Sequence, residues 1–169
     1  MPLNRLWLFG LLLLLFVAVG AFLMARFFPM GAKPTPSAVE HYARVRLAGE
    51  EFSLEVAATP TSRAQGLAGR DRLDDHGGML FRFDPAERGI GHYVFWMKGM
   101  RIPIDIIWVR DGVIRGIVAG AEPPPPGAKD ADIQRFAAPE PVDAVIEIRG
   151  GRAGELGLGV GQPIEFLLP

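Results

Sequence analysis

The segment FWMKGMRIPIDIIWV, residues 95–109, sets Lys98 and Asp105 inside a run of aliphatic and aromatic side chains. A carboxylate in such company must find a cation, accept hydrogen bonds or take up a proton, because leaving it charged and alone costs several kcal/mol. Side chains alternate along a strand, so Ile104, Ile106 and Trp108 share one face and Asp105 shares the other with Ile107 and Val109. Asp105 is therefore expected to be at least half-buried. Lys98 falls on the same face of its own strand as Trp96, and pairing of the two strands through the GMRI turn would bring Lys98 to Asp105. Arg63 and Arg70 are the rival cations. Such an ion pair has two readings. It can be a structural post that fixes sheet register or holds a loop. It can also belong to a polar cluster of Arg63, Gln65, Arg70, Trp96, Lys98 and Asp105 at a cleft that recognises a small polar ligand. A third reading makes Asp105 a general acid or base acting on an envelope glycan or peptide, with Lys98 or Arg70 stabilising negative charge; the sequence supplies no matched nucleophile for it.

Other chemistries find less support. The chain has no cysteine, which removes disulfides, thiolate nucleophiles and cysteine-based zinc sites. Its serines are Ser37, Ser53 and Ser62, none in Gly-x-Ser-x-Gly, and Ser62 sits where helix capping explains it. His41, His76 and His92 lack metal-ligand spacing, and DDHGG at 74–78 reads as a turn. The glycines at 77–78 and at 157, 159 and 161 have no strand-to-helix context or P-loop lysine, so no nucleotide site is expected. No metal and no cofactor are implied. Of 18 basic and 19 acidic residues, Arg5, Arg26 and Lys33 precede Ala38, which leaves the remainder with four excess negative charges. Nucleic acid is not an expected partner of such a surface.

The elements that must position these residues follow from patterning. Leu6 to Ala25 carry no charge, and twenty residues at about 1.5 Å each make about 30 Å of helix, one bilayer core. Residues 1–26 are thus expected to be a transmembrane helix or signal anchor, N-terminus inside. A cleaved signal peptide is the rival reading, with Val19 and Ala21 as its small residues. Residues 27–37 mix Pro, Gly and Lys as a tether, and 38–169 are expected to fold as a β-rich domain outside the cytoplasm, periplasmic or extracellular. There Val45 and Leu47, then Phe52, Leu54 and Val56, alternate with polar residues about Gly49 as a hairpin would. Thr59 and Pro60 open a short helix from about 60 to 68, ended by Gly69. The runs 77–83, 91–98, 102–110 and 112–120 read as strands, the last two joined at Asp111-Gly112. Residues 121–141, with Pro123 to Pro126, read as an extended loop, a candidate docking element for an envelope protein. Two closing strands flank a turn of helix within GGRAGELGLGVGQ. The fold class is mainly β: an antiparallel β-sandwich or barrel-like domain with one or two short helices, preceded by the membrane helix.

Three stretches, TPTSRAQGLAGRDRLDDHGGMLFRF (59–83), FWMKGMRIPIDIIWVRDGVI (95–114) and VIEIRGGRAGELGLGVGQPIEF (145–166), together resemble the family called domain of unknown function 192. Members usually carry Asn-Thr where this chain has Gly99-Met100, and often Met where Ala68 stands. The resemblance implies a compact, mainly β, sandwich-like domain, commonly exported or membrane-tethered in bacteria, with no settled activity. Its characteristic positions fall on Arg63, Gln65, Gly66, Leu67, Arg70, Gly78, Met79, Leu80, Phe81, Phe95, Trp96, Met97, Lys98, Pro103, Asp105 and Gly161.

Overall fold

The alternating run at 42–56 folds as a hairpin. In β1 (Tyr42–Leu47) and β2 (Glu50–Val56), Val45 lies opposite Phe52 and Ala43 opposite Leu54, and Val45, Leu47, Phe52 and Leu54 are all fully buried. Ala48 (φ 47°) and Gly49 (φ 88°) make the turn, both at the positive φ that matches a two-residue turn to the twist of its strands. The computed structural model describes residues 42–83 and 91–167. The apolar segment 6–25 and the tether 27–37 lie outside them, and among the described residues no helix is long and apolar enough to cross a membrane.

The next strand is not antiparallel to β2. After β2 the chain enters helix α1 (Pro60–Gln65), where Ser62 N donates to Thr59 Oγ1 (3.0 Å) and Thr59 N donates to Ser62 Oγ (2.9 Å), a reciprocal cap behind Pro60 at the first turn. Gly66 (φ 51°) ends the helix three residues earlier than expected. The chain then returns along β3 (Gly77–Arg82), which pairs parallel with β2. Twenty residues with a helix among them are what a parallel crossover requires, so the expectation of a purely antiparallel sheet is corrected at this pair.

The rest of the main sheet comes from β5 (Ile104–Arg110), β6 (Val113–Ala121), β8 (Ala144–Arg149) and β9 (Glu165–Leu167), in the spatial order β6-β5-β8-β3-β2-β1-β9. Apart from β2–β3, its pairs are antiparallel. Asp111 (φ 50°) and Gly112 (φ 69°) turn β5 into β6, as the dipeptide implied. The sheet curls into a half-barrel. Its far edges meet at one end, where Ile114 N donates to Gln162 O (3.0 Å) and Ile164 N to Gly112 O (2.8 Å), so that the segment leading into β9 also bridges the start of β6. This closure covers part of two edges that would otherwise offer unpaired backbone groups.

Two cores follow from the curl. One draws Val45, Leu54, Leu80, Ile107, Ile114 and Ile146 from strands across the whole sheet, and helix α2 (Arg152–Glu155) adds Ala153. The other face holds Phe81, Ile104, Ile106, Trp108 and Val145. It is covered by Leu67 from the exit of α1 and by a two-stranded ribbon of β4 (Val94–Trp96) and β7 (Arg135–Ala137). Here two further expectations fail. β4 does not pair with β5 through the GMRI turn, and residues 121–141 are not wholly irregular: they contain β7 and contribute buried Ile133 and Ala138. A three-residue strand with one inward side chain, Phe136, is too short to show a period.

Candidate functional site

Asp105 is fully buried, and its partner is not a cation. Oδ1 accepts hydrogen bonds from the backbone N–H of Gly120 (2.7 Å) and Gly151 (2.9 Å), and Oδ2 accepts from Ala153 (2.7 Å). Three peptide donors from β6 and the first turn of α2 thus do what the expected lysine would have done, and they tie both segments to β5. Lys98 instead meets Asp130 at 2.5 Å on the surface, and Arg70 is paired with Glu55. The Lys98–Asp105 ion pair is therefore corrected: the aspartate is an internal anchor for loops, and the lysine sits elsewhere.

Four of the six candidates, Lys98 among them, line one cavity. Arg63, Gln65, Trp96 and Lys98 border one cleft of about 310 Å³, while Arg70 and Asp105 do not line it. This volume is at the small end of the range for small-molecule sites, roughly 300–1,000 Å³. Helix α1 and Gly66 form one wall. Aromatic pairs form much of the rest: Phe81 and Phe95 meet edge to face (centroids 4.8 Å apart, 88°), and Phe83 stacks on Tyr93 (3.5 Å, 10°). Phe95 is held from behind by Trp108 at 5.4 Å. Such interlocked rings have few alternative rotamers, so the walls are stiff. At the rim Trp96 is 38% exposed, with Lys98 Nζ 5.0 Å and Arg135 Cζ 5.1 Å from its ring centre. Arg63 is braced by donation from Nη1 to Ala58 O (3.0 Å).

At the bottom lies a residue the sequence reading passed over. Glu147 of β8 also lines the cleft and is 5% exposed. Its Oε2 is buried, with no hydrogen-bond partner among the described residues. Desolvation alone raises its carboxyl to about 8, which keeps it protonated at neutral pH. Its neighbours in the sheet explain the placement: opposite Met79 and Ile106, it points to the same face as Val145. The signal was available. VIEI is a strand with one acid among aliphatic residues, the same anomaly that marked IDII.

A buried acid of this kind has a definite stability signature. Between about pH 4.5 and 8 the folded chain keeps a proton that the unfolded chain has released, so this group's contribution falls as pH rises, by up to about 1.4 kcal/mol per pH unit. Glu147→Gln mimics the protonated acid in shape and cannot ionise. Thermal melts of the two chains are expected to nearly coincide at pH 5, to separate progressively toward pH 8 and to keep a constant gap above it, with the Gln variant the more stable. Parallel profiles over that range would mean that Glu147 is not enclosed.

Comparison with known proteins agrees with the architecture. No curated protein matches the chain. A crystal structure from Sinorhizobium meliloti 1021, described provisionally as a transcription regulator, is 31% identical and superposes with a TM-score of 0.64, covering 75% of this chain and 94% of that one. A crystal structure of a protein of unknown function from Novosphingobium aromaticivorans DSM 12444 is 33% identical, with a TM-score of 0.60 over 73% of this chain and 83% of that one. Residues 43–166 match the uncharacterized family known as domain of unknown function 192 across the whole curled sheet and its ribbon, and the chain belongs to that family.

Proposed function

We propose that the domain is a small-ligand-binding or accessory module, presented outside the cytoplasm from a membrane anchor at residues 6–25, and that its ligand occupies the cleft between α1 and the β4–β7 ribbon. The observation that carries this reading is Glu147: a buried carboxyl oxygen with no partner among the described residues, at the floor of an open, aromatic-walled cleft. Inside a fold such a group is a cost, since an aliphatic residue there would stabilise the sheet more. A ligand that completes its hydrogen bonding gives the residue a use. The rim residues Arg63, Gln65, Trp96 and Lys98 then act as orienting contacts, whereas Asp105 and Arg70 serve the scaffold.

Catalysis through Asp105 gains no support from a carboxylate whose oxygens already accept three backbone donors. Regulation of transcription is a description given to the Sinorhizobium protein; the acidic balance of this domain does not favour contact with a phosphate backbone.

The test is a thermal-shift screen of the full chain in detergent against a library of small organic fragments, run beside Ala64→Trp. Ala64 lies on the exposed side of α1 and borders the cleft, so the indole fills the space without disturbing the core. A ligand present at a hundredfold excess over its Kd stabilises by about 2.7 kcal/mol, and that shift is expected in the natural chain alone. A library without a single stabiliser, or hits that stabilise both chains equally, would refute the reading.

A further inference from the structure

The chemistry of the cleft narrows the class of molecule that fits it. Glu147 is flanked in the sheet by Met79 and Ile106, and it borders the cleft beside Phe81. Gly66 keeps the cleft side open: a Cβ there would stand 3.6 Å from Phe81 Cζ and 3.9 Å from Glu147 Oε2, over the carboxyl. Among the described residues, the charged or titratable side chains that share the cleft with Glu147 are Arg63 on α1, and Tyr93 and Lys98 on either side of β4. Beside Trp96 the rim carries Arg135 and Lys98, the lysine already paired with Asp130, and Arg63 lines the cleft from α1. A cationic molecule would have to pass them, and an anionic head would have to be stripped of water at the floor beside an acid.

Resting on the small-ligand reading above, we propose that the ligand is an uncharged, largely apolar molecule bearing a hydrogen-bond acceptor, such as an amide or ketone carbonyl, which enters acceptor-first and takes a hydrogen bond from the Glu147 carboxylic acid. The rings of Phe81, Phe83 and Phe95 hold its apolar body. The acid is the donor because it is enclosed and unpaired; its desolvation raises it to about 8 with no contribution from Arg63, Lys98 or Tyr93. Affinity consequently follows the protonated fraction of Glu147, level in weakly acidic solution and falling once the acid ionises. A ligand amine would show the reverse, gaining as the carboxylate forms.

Three probes of one length separate these cases: 3-phenylpropanamide, 3-phenylpropanoate and 3-phenylpropylamine, titrated calorimetrically into the full chain in detergent at pH 6.5 and pH 9.5. The Ala64→Trp variant corrects for partition into the micelle. The amide is expected to bind tighter than either charged probe and to lose at least tenfold in affinity at the higher pH. Glu147→Gln should keep amide binding and lose its pH dependence, because the side-chain amide still donates; Glu147→Met should lose binding at both pH values. Tightest binding by the amine, or amide affinity independent of pH, would overturn the proposal while leaving the cleft as a ligand site. Probes that bind no better than to Ala64→Trp would also overturn it, and an empty fragment screen beside that result would remove the site reading as well.

Discussion

Asp105→Ala is expected to destabilise the domain by about 4 kcal/mol or more, a large part of the roughly 5–15 kcal/mol that holds a typical domain folded. The side chain is fully buried and receives three N–H donors from two separate segments. Hydrogen bonds to a charged group contribute about 1.5–3 kcal/mol each, and truncation removes all three, leaving the buried Ala153 N–H without a partner while Gly120 and Gly151 lie nearer the surface. Asp105→Asn should cost less, because the amide oxygen can still accept from Gly120 and Gly151 while its NH2 confronts the Ala153 N–H, donor against donor. Lys98→Ala supplies the contrast. Lys98 and Asp130 are both about half exposed, and an exposed pair contributes about 0–1 kcal/mol. Urea denaturation of the three variants decides the matter: comparable losses in Lys98→Ala and Asp105→Ala would restore the ion pair and remove the backbone anchor.

That contrast also marks how far the sequence could be read. Local signals were legible: the alternation of Val45, Leu47, Phe52 and Leu54, the Thr59-Pro60 helix start, the Asp111-Gly112 turn, and the opposite faces of β5 all lie where patterning put them. So was the anomaly of a buried Asp105. Its partners were not legible, since every residue but proline carries a backbone N–H and nothing in their side chains identifies Gly120, Gly151 and Ala153 as donors. Long-range pairing was hidden for a related reason. Phe136 pairs with Phe95 across about forty residues, and β2 meets β3 in parallel only because α1 turns the chain over; neither choice leaves a period in the local sequence. The lining of the candidate cleft was legible in part. Arg63, Gln65, Trp96 and Lys98 border it, but its floor residue Glu147 sits in a strand whose packing against β3 and β5, invisible in the local sequence, decides which cavity the acid faces.

Gly78→Ala is the second substitution expected to have a large effect, and it tests the placement of that floor. Gly78 sits inside the sheet, paired with Leu54 of β2 on one side and Ile148 of β8 on the other. A Cβ added to it would stand 2.2 Å from the carbonyl oxygen of Glu147 and 3.1 Å from Leu54 Cδ2. The carbonyl cannot swing aside as a side-chain tip could, because β8 is held by β5 on its far edge. Relief requires β8 to move off β3, which breaks the central ladder; overpacking of this kind costs about 1–3 kcal/mol where the surroundings yield, and more where they do not. A loss above about 3 kcal/mol or a failure to accumulate folded protein is therefore expected. Gly77→Ala, one residue earlier, meets Asp74 Cβ at an ordinary 3.5 Å and should fold with a urea midpoint close to that of the natural chain. The clashing oxygen belongs to Glu147 itself, so any Gly78→Ala protein that does fold carries a displaced cleft floor and should lose fragment binding out of proportion to its residual stability. A Gly78→Ala chain with an unchanged midpoint would mean that β3 and β8 do not approach as described, and the cleft floor would have to be placed elsewhere.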